Sequence, residues 1–183
     1  MSFDTEFQRV VLIEGGYSDN PLDSGGKTKY GITEAVARAY GYTGEMRDLP
    51  LSVARAIYHE RYWSSLKLDE VAQCSAAVAG ELFDSAVNCG QGMAGKWLQR
   101  ALNAFNRRGE LYPDLLDDGM VGRLTITALK AYFSSYQRFG KGGTEAVLLR
   151  ALNSQQGAFY LELSQERQKD EDFTFGWFLN RVS

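Results

Sequence analysis

A chain of 183 residues, 44% hydrophobic and 23% charged, has material for one compact domain, or for a catalytic domain with a small helical appendage, and is neither disordered nor low in complexity. Its net charge of −3, with lysine and arginine scattered, excludes the basic footprint of a nucleic-acid binder and simple electrostatic capture of an anionic polymer. The stretch Met1 to Glu6 is acidic where a secretion signal is basic, and the weakly apolar run Ala76 to Phe83 is broken by Glu81 and far short of the roughly 20 residues that cross a bilayer, so neither a leader nor membrane insertion is expected.

Phe3, Phe7, Val10 and Val11 recur at helical spacing and predict an amphipathic first helix that stops at Gly15-Gly16. From Tyr17 to Gly31 the chain turns polar, with Pro21 and several glycines, and reads as a long loop or a short irregular hairpin. Thr33 is placed to cap a helix through Val36 and Tyr40, and Ser52 to cap another containing Val53, Ile57, Tyr58 and Tyr62, followed by Trp63. A helix over Ala76 to Asn88 carries Val78, Leu82, Phe83, Ala86 and Val87 inward, with Gly90 and Gly92 as breaks. Met93 to Phe105 repeats the spacing, residues 110–122 form a boundary, and Thr125 to Phe139 is the next helix. Lys141-Gly142-Gly143 is a second break, before a long helix toward Gln168. The segment Phe173 to Leu179 is too aromatic to dangle in water and is expected to dock on the body. The two cysteines, Cys74 and Cys89, bracket one helical segment; fifteen residues of helix separate them by roughly 22 Å, so both are expected as reduced thiols. His59, the sole histidine, is expected at the surface and leaves little material for a histidine-containing metal cluster or a Ser-His-Asp triad. No phosphate loop or dinucleotide fingerprint is present, and no metal or cofactor is expected.

Glu14 falls on the apolar stripe of its own helix and at that helix's negative end. Both placements disfavour the ionised carboxylate, so a raised pKa is expected, as a general acid near neutral pH requires. A glutamate that reaches from the helix end into water is the competing reading. Asp23, in the polar loop, is expected to stay ionised. Two carboxyl groups in contrasting environments are the minimum equipment for glycoside hydrolysis, at roughly 6.5–9.5 Å if the second orients a water. Asp19 competes for that role, and Asp23 can equally open the Asp23-Ser24-Gly25-Gly26 turn as a side-chain acceptor.

The run Glu14-Gly15-Gly16-Tyr17, followed by Asp23 through Thr33, closely resembles the N-terminal signature of glycoside hydrolase family 108, lysozyme-like N-acetylmuramidases of phages and bacteria. The likeness continues through Ile57-Tyr58, Tyr62-Trp63 and Leu82 to Gly90, then Asp118 to Thr125 and Gly176 to Arg181, so it covers nearly the whole chain. The resemblance implies that Glu14 is the catalytic acid; Asp23 is then expected to stabilise positive charge or orient water, and Thr28 to assist. Phage-type lysozymes share a looser pattern in which the threonine stands one residue later, where this chain has Lys29. The element Asp118 to Thr125 resembles the loop of a small peptidoglycan-binding domain, with Arg123 where proline is commoner.

The resemblance implies a mainly α-helical, lysozyme-like fold with a short β or irregular element after the first helix. A catalytic region over 1–90 and a peptidoglycan-binding-like helical region over 91–183 are expected to pack as one unit. The implied reaction is hydrolysis of the β-1,4 bond after N-acetylmuramic acid, with peptidoglycan glycan strands as partner. A lytic transglycosylase and a non-catalytic wall-binding or secretion-accessory protein are the alternatives. Tyr30 and Tyr62 are expected to contact sugar, while Trp63 serves a cleft or the core. Glu81, Asp84 and Asn88 share one helix face, solvated or lining a cleft, with Asn88 the expected substrate contact. An endolysin of this kind would be a monomer, held in the cytoplasm until a holin-type partner releases it to the wall.

Overall fold

The structure is a computed structural model that describes residues 2–14, 16–18, 26–167 and 170–182, with the backbone alone for 12–14. The fold is mainly α-helical with one two-stranded sheet among the described residues. Helix α1 (Phe3–Glu14) buries Phe3, Phe7 and Val10, the stripe its spacing predicts. The chain then pairs Ser18 with Thr28 through reciprocal backbone bonds, each of 2.9 Å. Strands β1 (Thr28–Lys29) and β2 (Ile32–Thr33) form an antiparallel hairpin with Thr28 opposite Thr33. Its two turn residues, Tyr30 and Gly31, have φ of 54° and 72°, the left-handed pair that matches strand twist. The short hairpin of the polar segment is therefore regular at its described end.

Thr33 caps α2 (Glu34–Ala39) as predicted, its hydroxyl oxygen accepting from the Val36 amide at 3.4 Å. Ser52 does not cap α3 (Leu51–Tyr58). That helix starts two residues earlier than a Ser52 cap requires, because the Pro50 carbonyl already takes the Val53 and Ala54 amides. A π-helical turn (His59–Ser64) continues α3 and turns Trp63 into the core.

The two cysteines bracket one helix, as expected: α4 (Leu68–Cys74) ends on the first, and α5 (Ala76–Cys89), which ends on the second, begins across an extended Ser75, whose hydroxyl oxygen accepts from the Val78 amide at 3.0 Å. Both thiols are free, and burial pushes each pKa up, that of Cys89 to about 11. Helix α5 packs against α1, α4, α6 (Gln91–Phe105) and α8 (Gly140–Glu166), and its residues Val78 to Gly80 and Leu82 to Ala86 are buried. It is the axle of the molecule.

Gly90, at φ 88°, separates α5 from α6, but Gly92 is no break; it lies inside α6. Helix α7 (Arg123–Ser135) and a 3-10 turn (Gln137–Phe139) follow. The break expected at Lys141-Gly142-Gly143 falls instead at Gly140, φ 71°, and those three residues form the first turn of α8. Thr144 secures that turn, its hydroxyl donating to the Tyr136 and Gly140 carbonyls at 2.9 and 3.1 Å. Helix α9 (Glu171–Arg181) docks on α8 with Trp177 against Tyr160, ring centroids 4.9 Å apart, although Phe173, Phe175 and Leu179 remain exposed.

The loop before α7 lies flat on α6 because glycine stands at both faces. A Cβ at Gly95 would come within 2.1 Å of the Gly119 carbonyl oxygen, and one at Gly119 within 2.4 Å of that of Gly92. Gln99 fastens the same loop: its amide nitrogen donates to Asp118 Oδ1 at 2.9 Å and its oxygen accepts from the Gly119 amide at 2.8 Å.

Candidate active site

Helix α1 delivers Glu14 as its last residue; the side chain lies outside the described part, as do Asp19 and Asp23 entirely. Thr28 is described. It sits between Ser18, four residues beyond Glu14, and Thr33, so the chain that leaves α1 and the chain that returns from the polar segment are fastened together at this threonine. The fastening uses Thr28 backbone groups, so it does not consume the hydroxyl.

Tyr30 follows in the turn, half-buried, with Lys29 Nζ 5.2 Å from its ring centroid. The Tyr58 hydroxyl donates to the Tyr30 carbonyl at 2.9 Å, and the Tyr58 ring lies 5.5 Å from that of Tyr62. Tyr30 and Tyr62, singled out from sequence as sugar contacts, are thus joined through one buried tyrosine. Trp63 belongs to the core: it is 2% exposed, packs on Phe3 and Phe83, and donates its indole N–H to Asp69 at 2.8 Å. His59 is half-buried rather than at the surface, its ring edge-on to Phe3 at 4.8 Å.

Asn88 is exposed at the end of α5, and its amide donates to the Asp84 carbonyl at 2.8 Å and to Asp84 Oδ2 at 3.3 Å. The reading of Asp84 as part of a solvated or cleft-lining face is corrected by the structure, while Glu81 is half-buried. Asp84 is 3% exposed, and α1 and α9 cover it with Arg9, at 3.8 Å, and Arg181, at 3.2 Å. Arg9 also pairs with Glu6 at 3.1 Å, and Glu6 is itself 4% exposed, its carboxyl lying over Gly80 where any Cβ would crowd it.

Three carboxyl groups and two guanidinium groups therefore meet where α1, α5 and α9 join. Burial raises the Asp84 pKa even though Arg181 and Arg9 pull it down. Burial, and then the neighbouring Asp84, push Glu81 up to about 7, against the opposing pull of Arg9 and a hydrogen bond from the Ser85 hydroxyl at 3.4 Å. Sequence spacing put these acids on one face but gave no sign of their cover. Arg181, 97 residues from Asp84, was the missing signal.

Among the described residues no group of three histidine, cysteine, aspartate or glutamate side chains is arranged to hold a metal ion, and no helix is long and apolar enough to cross a membrane.

Residues 7–90 match the family model described as glycosyl hydrolase 108, and residues 93–182 match that of a predicted peptidoglycan domain. No curated protein matches. Among solved structures, that of Brucella abortus SagA shares the fold, with a TM-score of 0.60 at 24% identity over 94% of this chain and 95% of that one. The two matched segments meet between α5 and α6, and the arginine that covers Asp84 comes from the second. The chain thus joins a glycosyl hydrolase 108 region to a predicted peptidoglycan domain, and the two together span nearly all of it.

Proposed function

We propose that the chain is an N-acetylmuramidase that hydrolyses the β-1,4 bond between N-acetylmuramic acid and N-acetylglucosamine. The reading is carried by the glycosyl hydrolase 108 match over residues 7–90, which contains every candidate catalytic residue. Glu14 protonates the leaving oxygen. Its place at the end of α1 sets it against the negative pole of the helix, which favours the protonated form needed for that step. Asp23 stabilises the developing positive charge or orients the attacking water, and Thr28 assists from the strand that closes the same polar segment. Tyr30, Tyr62 and Asn88 contact the sugar chain. The region over 91–183 adds wall affinity and packs with the catalytic region over 1–90 as one unit. The protein acts as a monomer and reaches the wall from the cytoplasm after a holin-type partner opens the way.

Digestion of purified cell walls by wild type and Glu14→Gln, followed by mass analysis of the muropeptides, tests substrate, bond and acid together. Wild type is expected to release reducing N-acetylmuramic acid ends and the folded variant none. Anhydro ends would instead identify a lytic transglycosylase, which needs the acid but no water-activating carboxylate. Wall binding without any release by wild type would identify a non-catalytic binder.

A further inference from the structure

We propose that Arg181, contributed by the peptidoglycan region, is a positioning residue of the glycosidase site, acting through Asp84 on Asn88 and on α1. The inference rests on the reading that Glu14 and Asn88 serve the reaction.

The Asp84 carboxyl is shared between three elements. Oδ1 accepts from Arg181 Nη1 of α9 at 3.2 Å and faces Arg9 Nη2 of α1 at 3.8 Å, while Oδ2 accepts from the Asn88 amide at 3.3 Å. The Arg181 side chain is 9% exposed and that of Asp84 5%, so the pair is held away from water, where a charge-assisted bond is stiff and a vacancy is costly. Gln156 of α8, fully buried, stands beside the same carboxyl and bonds Ser85 at 3.4 Å. Arg9 lies five residues before Glu14 on the same helix, about 1.4 turns away. Asn88, by contrast, is exposed, and the described contact that orients its amide is Asp84 itself. Loss of Arg181 leaves the Asp84 carboxyl to rotate toward Arg9, which takes the 3.3 Å bond from the Asn88 amide, leaves that amide on its 2.8 Å bond to the Asp84 carbonyl, and shifts the tie on α1. The second region thereby completes the first instead of only carrying it to the wall.

The test uses the full chain on soluble glycan strands, with kcat and KM for wild type, Arg181→Ala, Arg181→Lys, Asn88→Ala and the Arg181→Ala/Asn88→Ala double variant. Thermal melts first establish that each is folded. Arg181→Ala is expected to lower kcat about tenfold with KM within about twofold, because the loss is of alignment and not of binding. Arg181→Lys should recover a substantial part, since an ammonium restores the charge but not the planar fork. The double variant should be no slower than the slower single one, as two groups on one path are not additive. A folded Arg181→Ala enzyme with unchanged kcat, a loss confined to KM, no recovery by lysine, or multiplicative losses in the double variant would each overturn the inference. If Arg181→Ala does not melt cooperatively, Asp84→Asn takes its place with the same expected loss. Glu14→Gln is run in parallel. Inactive Glu14→Gln with undisturbed Arg181→Ala overturns the inference alone; active Glu14→Gln with impaired Arg181→Ala overturns the placement of the acid alone.

Discussion

The Tyr58 hydroxyl, on α3, holds the Tyr30 carbonyl in the hairpin turn at 2.9 Å, and the two residues are 28 positions apart in sequence. Tyr58 is 1% exposed, so the bond is a fixed strut between the helical body and the turn. Tyr58→Phe keeps the ring, which packs on Phe7 and Phe83, and removes the hydroxyl that makes the strut. A loss of about 1 kcal/mol in unfolding free energy is expected from the missing hydrogen bond. Urea denaturation measures it, and wall lysis should slow several-fold because Tyr30 and Thr28 share the loosened hairpin. Unchanged stability would show that water replaces the bond at no cost.

Glu81 makes stability depend on pH in a defined direction. Its folded pKa, about 7, lies above the ordinary value of 4.5, so the folded state holds a proton that the unfolded chain gives up. The stabilisation from that proton is fully present below about pH 4.5 and is lost as pH rises through about 7. Glu81→Gln removes the ionisation and keeps an oxygen to accept from Ser85. The variant should therefore match wild type in melting temperature near pH 4.5 and exceed it at pH 8. At this chain length each kcal/mol reads as about 2–4 °C. A melting difference that shrinks between those two pH values would contradict the burial of this carboxyl.

Gly119 combines a positive φ of 82° with direct contact on α6. Gly119→Ala meets two penalties at once, a left-handed backbone for a residue with a Cβ and a 2.4 Å approach to the Gly92 carbonyl oxygen. The expected loss is about 2–4 kcal/mol, in the range of overpacking plus backbone strain. Chemical denaturation measures it, and Gly122→Ala, where a Cβ meets open space, serves as the control with a small effect. Equal stability of the two variants would remove the loop from its place on α6.

The helical pattern, the Thr33 cap and the break at Gly90 were readable because each depends on residues close together in sequence. Glycines were the weaker guide. Gly95 stands inside α6 where the Gly119 loop approaches, whereas Gly92 inside α6 and Gly142 inside α8 face open space, so a glycine can mark a break, a contact or neither, and the pattern alone does not say which. The candidate acid rests on the resemblance of its Glu-Gly-Gly run, since its stripe and helix end suit a solvent-reaching glutamate as well and its side chain lies outside the described residues. The ionic cluster around Asp84 was not legible, because Arg9 and Arg181 reach it from opposite ends of the chain and because burial, not spacing, sets the Glu81 pKa.

The 97-residue separation between Asp84 and Arg181 also sets an order in time. A ribosome adds about 5–20 residues per second, so a nascent chain waits about 5–20 s between exposing Asp84 and supplying its guanidinium partner. Throughout that interval the glycosidase region can collapse around α5 yet carries an uncovered buried carboxyl. Synthesis thus makes this enzyme whole only near its last helix, and a chain released early is unfinished at a buried contact between its two regions.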